Sequence, residues 1–170
     1  MMSRVLRVAF IALLLSVAFT RADDEGWQKV DYKAAKFSIE DLNGGRLTES
    51  VYKGKVAVID FWATWCGPCV GELPELARFH ESVKDRKDVV FLSFSVDDTK
   101  DDVRRFFKDR KETFPVYMAG ALSDEMEVII FPTKLIVDGR EGEPRVRFRK
   151  DGVVEPGELD KRLSEILKKP

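Results

Sequence analysis

Cys66 and Cys69 are the whole cysteine content of the 170-residue chain, and only Gly67 and Pro68 separate them. A bridge across so small a loop adds little chain-entropy stabilisation, so the pair is read as chemical rather than as a staple. A thiolate attacks disulfides and a thiol does not, and the amides and dipole of a helix N-terminus stabilise an ionised sulfur. The string Trp65-Cys66-Gly67-Pro68-Cys69 sits where a buried-strand pattern gives way to a helical one, which places Cys66 at such an end. Cys66 is the expected nucleophile. Cys69, one turn further and pointing inward, is expected to attack the resulting mixed disulfide and release the reduced partner. Gly67 permits the turn, and Pro68 removes a donor where helix amides are unpaired anyway. Zinc is hard to build here, because the only histidine, His80, would lie roughly 16 Å from Cys69 along the same helix.

Two carboxyls are candidate proton carriers. Asp60 interrupts the apolar run Val56 to Trp62, and burial should raise its pKa, so it is expected to take the proton from Cys69 as that sulfur attacks. A strand-end aspartate reaching water is the alternative. Glu72 follows Cys69 by three residues on nearly the same helix face and is a second candidate base, against the reading of a solvated surface glutamate. Pro132 lies just ahead of a strand. In the cis form it would leave backbone groups facing the cysteines, where an extended substrate can pair by strand addition. Composition alone does not favour that form. Trp65, Gly67, Pro68, Phe131 and Pro132 make up the expected substrate-contact set. His80 is read as a packed, hydrogen-bonded residue on the inward stripe with Leu73, Ala77 and Val83, rather than as a ligand. Arg145, Arg147, Arg149 and Lys150 are read as the solvated face of an edge strand, with attraction of an acidic partner as the competing use.

These groups need a scaffold. Asn43-Gly44-Gly45, between Phe37–Glu40 and Arg46–Thr48, signals an added hairpin, after a weakly patterned stretch from Asp23 to Lys36. Val56 to Trp62 reads as a central strand buried on both faces. A helix follows Cys66 with Val70, Leu73, Ala77 and Val83 inward, bent by Pro74. Val89 to Val96 is the next strand, and Asp97, Asp98 or Thr99 can cap a helix carrying Val103, Phe106 and Phe107. Phe114 to Met118 reads as a short strand, and Leu122, Met126 and Ile129 keep helical spacing up to Pro132. Lys134–Asp138 and Arg145–Arg149 read as an antiparallel pair at a sheet edge. Pro156 opens a last helix with Leu159, Leu163 and Ile166 inward and Lys168 and Lys169 late.

The chain is 44% hydrophobic and 35% charged, with a net charge of -1, which suits one globular domain. Those figures exclude a second large domain, a mainly disordered chain and nucleic-acid binding through bulk charge. Arg4 and Arg7 precede an apolar run from Val8 to Phe19, then Thr20-Arg21-Ala22. Residues 1–22 therefore read as an export signal, with an uncleaved anchor as the alternative, and 23–170 as the folded domain. The folded part is expected outside the cytoplasm.

The string from Val58 to Cys69 resembles the thioredoxin superfamily. Glu72-Leu73-Pro74, the hairpin, Ser95-Val96-Asp97-Asp98 and Phe131-Pro132-Thr133 are similar to the extracytoplasmic TlpA/ResA-like branch, over roughly Phe37 to Leu167. The resemblance implies an α/β thioredoxin fold, a central mixed sheet flanked by helices, with an N-terminal β-hairpin and a central helical insertion. It also implies a cis Pro132 facing the disulfide, Cys66 as nucleophile and Cys69 as resolving cysteine. No cofactor is implied. The expected partners are protein disulfides, apocytochrome c among them, and a membrane thiol-disulfide electron donor, with the protein acting as a monomer in the periplasm or elsewhere outside the cytoplasm. Many members carry Asn where this chain has Asp60, and Phe131 is bulkier than the usual residue.

A reductase of protein disulfides is the leading reading, because Gly-Pro between the cysteines resembles the reducing members. A peroxiredoxin-like peroxidase is the first alternative, disfavoured by Ala63, which stands where such an enzyme needs Thr or Ser. The second is a copper-binding chaperone, since soft thiolates suit Cu(I), although a third ligand is missing.

Overall fold

A computed structural model describes residues 26–97 and 99–168 of the chain. The leader at 1–22, Asp98 and Lys169 lie outside the described residues. The apolar run expected at the centre forms β4 (Val56–Trp62), with all seven residues buried. On one side it pairs in parallel with β5 (Val89–Ser95), and on the other antiparallel with β7 (Thr133–Asp138). With β1 (Gln28–Lys33), β6 (Val116–Met118) and β8 (Arg145–Asp151) these make a six-stranded mixed sheet in the order β1-β8-β7-β4-β5-β6.

Alternation along β4 divides the core. Val56, Val58 and Trp62 pack with Leu73, Leu76 and Phe79 of α1 (Gly67–Val83) and Leu159, Leu163 and Ile166 of α4 (Glu158–Leu167). Ala57, Ile59 and Phe61 pack on the other face with Phe37, Tyr52, Phe94, Leu122 and Met126. Asp60 falls between Val58 and Trp62, so it belongs to the α1 face.

The hairpin forms as β2 (Ser38–Glu40) and β3 (Arg46–Thr48). Gly44 takes φ +89° in its turn, and the Asp41 carboxylate accepts from the amides of Asn43 and Gly45. The segment between β5 and β7 holds α2 (Lys100–Phe107), β6 and the four-residue α3 (Leu122–Glu125).

Several expectations are corrected. β8 is not an edge, because β1, arising from the stretch read as weakly patterned, pairs along it. Most of β1 is polar and exposed, and a bulge between Lys29 and Tyr32 breaks its alternation. Arg145 and Arg147 do face outward, where both pair with Asp31 of β1, but Lys150 points to the opposite face and is buried against Glu158. The helix expected through Ile129 ends at Glu125: Glu127 turns the chain with φ +53°, and Ile129 is 81% exposed. In α1, Leu73 and Val83 are buried as expected, but Leu76 and Phe79 take the inward places expected for Val70 and Ala77; the helix continues through Pro74, as expected. Gly157, at φ +80°, precedes α4, so the last helix starts two residues beyond Pro156. Thr99 provides the α2 cap bond, accepting from the Asp102 amide.

Candidate active site

β4 delivers the chain to the cysteines, and one carboxylate holds the turn that follows. Asp97, at the end of β5, accepts from the Thr64 amide at 3.0 and 3.2 Å, from the Thr64 hydroxyl at 2.5 Å and from Ser95 Oγ at 2.6 Å. Its place in the sequence suggests a helix cap. The parallel pairing of β4 with β5 brings it instead to the Cys66 turn, since Trp62 lies opposite Ser95.

Cys66 is the N-cap of α1, and Pro68 lies in the first turn. The two cysteines form a disulfide, and Cys66 Sγ accepts from the Cys69 amide at 3.3 Å. Cys66 keeps 6% exposure and Cys69 none, so an incoming sulfur meets Cys66 first. Trp65 is 68% exposed, and its ring meets Phe131 edge-on at 6.1 Å. The Phe131–Pro132 peptide is cis. The contact between the two rings brings the Pro132 loop to the cysteine turn, and Ile130, half-exposed, extends its apolar rim. Beside Trp65 an open cleft of about 570 Å³ is lined by Thr64, Asp97, Asp102, Arg105 and Phe106.

Three residues beyond Cys69 in α1, Glu72 joins a buried charge cluster that residue-by-residue reading found only in part. Asp60 stands directly opposite Lys134 across the β4–β7 pairing. Lys134 Nζ is 3.2 Å from Asp60 Oδ1, without hydrogen-bond alignment, and bonds Glu72 Oε1. Glu72 Oε2 accepts from the Val154 amide at 2.9 Å. The side chains of Lys134 and Asp60 are fully buried and that of Glu72 nearly so. Both alternatives, the aspartate reaching water and the solvated glutamate, are thereby set aside. Burial pushes the Asp60 carboxyl up, opposed by Lys134. Burial and the neighbouring Asp60 charge push Glu72 up to about 7, against the pull of Lys134 and the Val154 amide. A signal for Lys134 was available: a lysine inside an otherwise buried strand requires a partner of opposite charge.

His80 stays apart from this cluster. Its ring packs against Phe91 and Phe114, as expected, but Nδ1 is buried without a hydrogen-bond partner among the described residues. No group of three or more metal-ligating side chains occurs among the described residues.

A mixed sheet with a Cys-Gly-Pro-Cys disulfide at the start of its first long helix, facing a cis-proline loop, defines a thiol-disulfide oxidoreductase of the thioredoxin fold. The AhpC/TSA family model matches residues 30–140, and the chain belongs to that family. It is 31% identical over 144 residues to the thiol-disulfide oxidoreductase ResA of Bacillus cereus, covering 80% of this chain and 83% of that protein. It is 32% identical over 108 residues to the thioredoxin-like protein YneN of Bacillus subtilis, covering 62% of this chain and 64% of the relative. Among solved structures, the exposed lipoprotein thioredoxin Etrx1 of Streptococcus pneumoniae superposes with a TM-score of 0.65 at 25% identity, over 77% of this chain and 99% of that one. A DsbF homologue from Corynebacterium diphtheriae shares the fold at a TM-score of 0.69 and 20% identity, over 86% and 97% of the two chains.

Proposed function

We propose that the chain is exported by its 1–22 leader and that the folded domain, 23–170, reduces protein disulfides outside the cytoplasm as a monomer. One observation carries this reading: the disulfide sits at a helix N-terminus with Cys66 at the surface and Cys69 sealed beneath it. Reduced Cys66, ionised by the α1 amides, attacks a client disulfide, and one client sulfur leaves as thiolate and takes a proton. Cys69 then passes its proton to Asp60 or Glu72 and attacks Cys66 Sγ. The Cys66–Cys69 bond re-forms, and the second client thiolate departs with the electron pair. A membrane thiol-disulfide donor returns two electrons and two protons by exchange.

Trp65, Gly67, Pro68, Phe131 and Pro132 are the proposed client contacts, with the exposed Trp65 and Ile130 offering apolar surface to an unfolded segment. Apocytochrome c, with its own closely spaced cysteines, is the proposed client. Gly67-Pro68 favours the reducing direction, and the description of the pneumococcal neighbour as an exposed lipoprotein is in keeping with a site outside the cytoplasm.

Equilibration of the Cys66/Cys69 pair in glutathione and thioredoxin buffers tests the direction. A potential near that of thioredoxin, about -270 mV, supports reduction, whereas one near about -120 mV makes the protein an oxidase. Cys69→Ala should accumulate a client bound through Cys66, and Cys66→Ala should abolish exchange. Consumption of peroxide by the purified protein would instead favour the peroxidase reading.

A further inference from the structure

Building on that reading of Asp60 and Glu72, we propose that Lys134 is the positioning residue of the site, tying both carboxyls into one buried acid that holds a single exchangeable proton for Cys69. The geometry is specific. The antiparallel register of β7 on β4 sets Lys134 opposite Asp60, and Glu72 reaches the same Nζ from the second turn of α1. No water-exposed path dilutes the charges, since the three side chains are 0–3% exposed.

Charge counting then decides the stoichiometry. With all three groups ionised the cluster carries one negative charge in excess, which is costly in an interior. One proton on either carboxyl brings it to zero. Without Lys134 two protons would be needed for neutrality, and without one carboxyl none would be. A cluster that changes by one proton matches the one proton that Cys69 must lose. As Cys69 attacks the mixed disulfide, its Sγ–H proton moves to the ionised carboxyl and the Cys69–Cys66 bond forms. The client sulfur leaves as thiolate, and the cluster passes from one negative charge to none.

The remaining charged neighbours do not disturb this count. Lys150 lies opposite Lys134 on β8, but its Nζ is held by Glu158 of α4 at 2.5 Å. Arg162 of α4 pairs with Glu165. On β5, Asp60 faces Ser93, an uncharged residue that accepts from Trp62 Nε1. From α1, Glu72 reaches the cluster, while Glu75 is held by Arg78 and by the Gly157 amide.

The test uses the mixed disulfide of Cys66 with thionitrobenzoate, whose release by Cys69 is followed by absorbance as a function of pH. Glu72→Gln leaves Asp60 alone with the cation, so the inflection of the rate profile should fall. Lys134→Met removes the cation from two carboxyls, so the inflection should rise by about 1–3 pH units. Glu72→Gln/Lys134→Met should lie above Glu72→Gln by a similar amount, and this pair decides the matter if Lys134→Met alone does not fold. Inflections that do not rise on loss of Lys134, while Asp60→Asn or Glu72→Gln still move the profile, would overturn the role of Lys134 and leave the carboxyl bases standing. A profile indifferent to every one of these variants would remove both.

Discussion

Strands β7 and β8 each send one lysine from the same row of the sheet into the layer under α1 and α4, and the two lysines end in different company. Lys134 meets two carboxyls, Asp60 and Glu72. Lys150 meets one, Glu158, whose oxygens also accept from Trp27 Nε1 at 2.6 Å and from the Glu155 amide at 2.7 Å. The second cluster is balanced, and it fastens the N-terminal segment and α4 to the sheet. The first has a carboxyl too many, and its Glu72 stands three residues beyond Cys69 in α1. Neighbouring positions of one fold thus use buried charge in two ways, as a clamp and as a place for a proton, and the parity of the charges separates them.

That contrast can be broken most forcefully at Glu158. Glu158→Ala strands Lys150 and the Trp27 N–H in the interior, so the protein should lose about 3–5 kcal/mol in urea denaturation while the folded fraction exchanges thiols normally. Loss of exchange in the molecules that remain folded would merge the two clusters into one.

Next comes the pH dependence of stability. Glu72 has a higher pKa folded, about 7, than its ordinary 4.5, so the folded state binds the proton more tightly. Its contribution is present at low pH and lost as pH rises from 4.5 to 7, on the order of 3 kcal/mol. Denaturation midpoints across that window should flatten in Glu72→Gln. They should keep their slope in Glu158→Ala.

Trp27→Phe removes a donor to the Glu158 carboxylate together with part of a buried ring and should cost about 2 kcal/mol with no change in the exchange profile. Smallest is Arg145→Ala at the exposed Asp31 pair, where no measurable shift of the denaturation midpoint is expected. A clear shift there would show that surface charge, and not burial, governs this sheet.

Much of the site was legible in local pattern. Cys66 and Cys69 carry their chemistry in their spacing, and Asp60 stands out because a carboxyl inside Val56–Trp62 has no water to reach. The central strand was read with the bounds it has, since apolar runs of that length leave little choice. β1 was not legible: its residues alternate weakly, and it is a strand because β8 offers it a partner more than a hundred residues away. Lys134 is hidden from local pattern for a related reason. Its register against Asp60 depends on how β7 docks on β4, and no local rule specifies that docking.

The order of residues around Cys66 determined by itself that this chain does thiol chemistry at a helix start, because nucleophile, turn and resolving sulfur all lie within one helical turn. Only the tertiary structure decided which groups handle the proton. Asp60, Glu72 and Lys134 come from a strand, a helix and a second strand, and they become one cluster only when the sheet closes over them and excludes water.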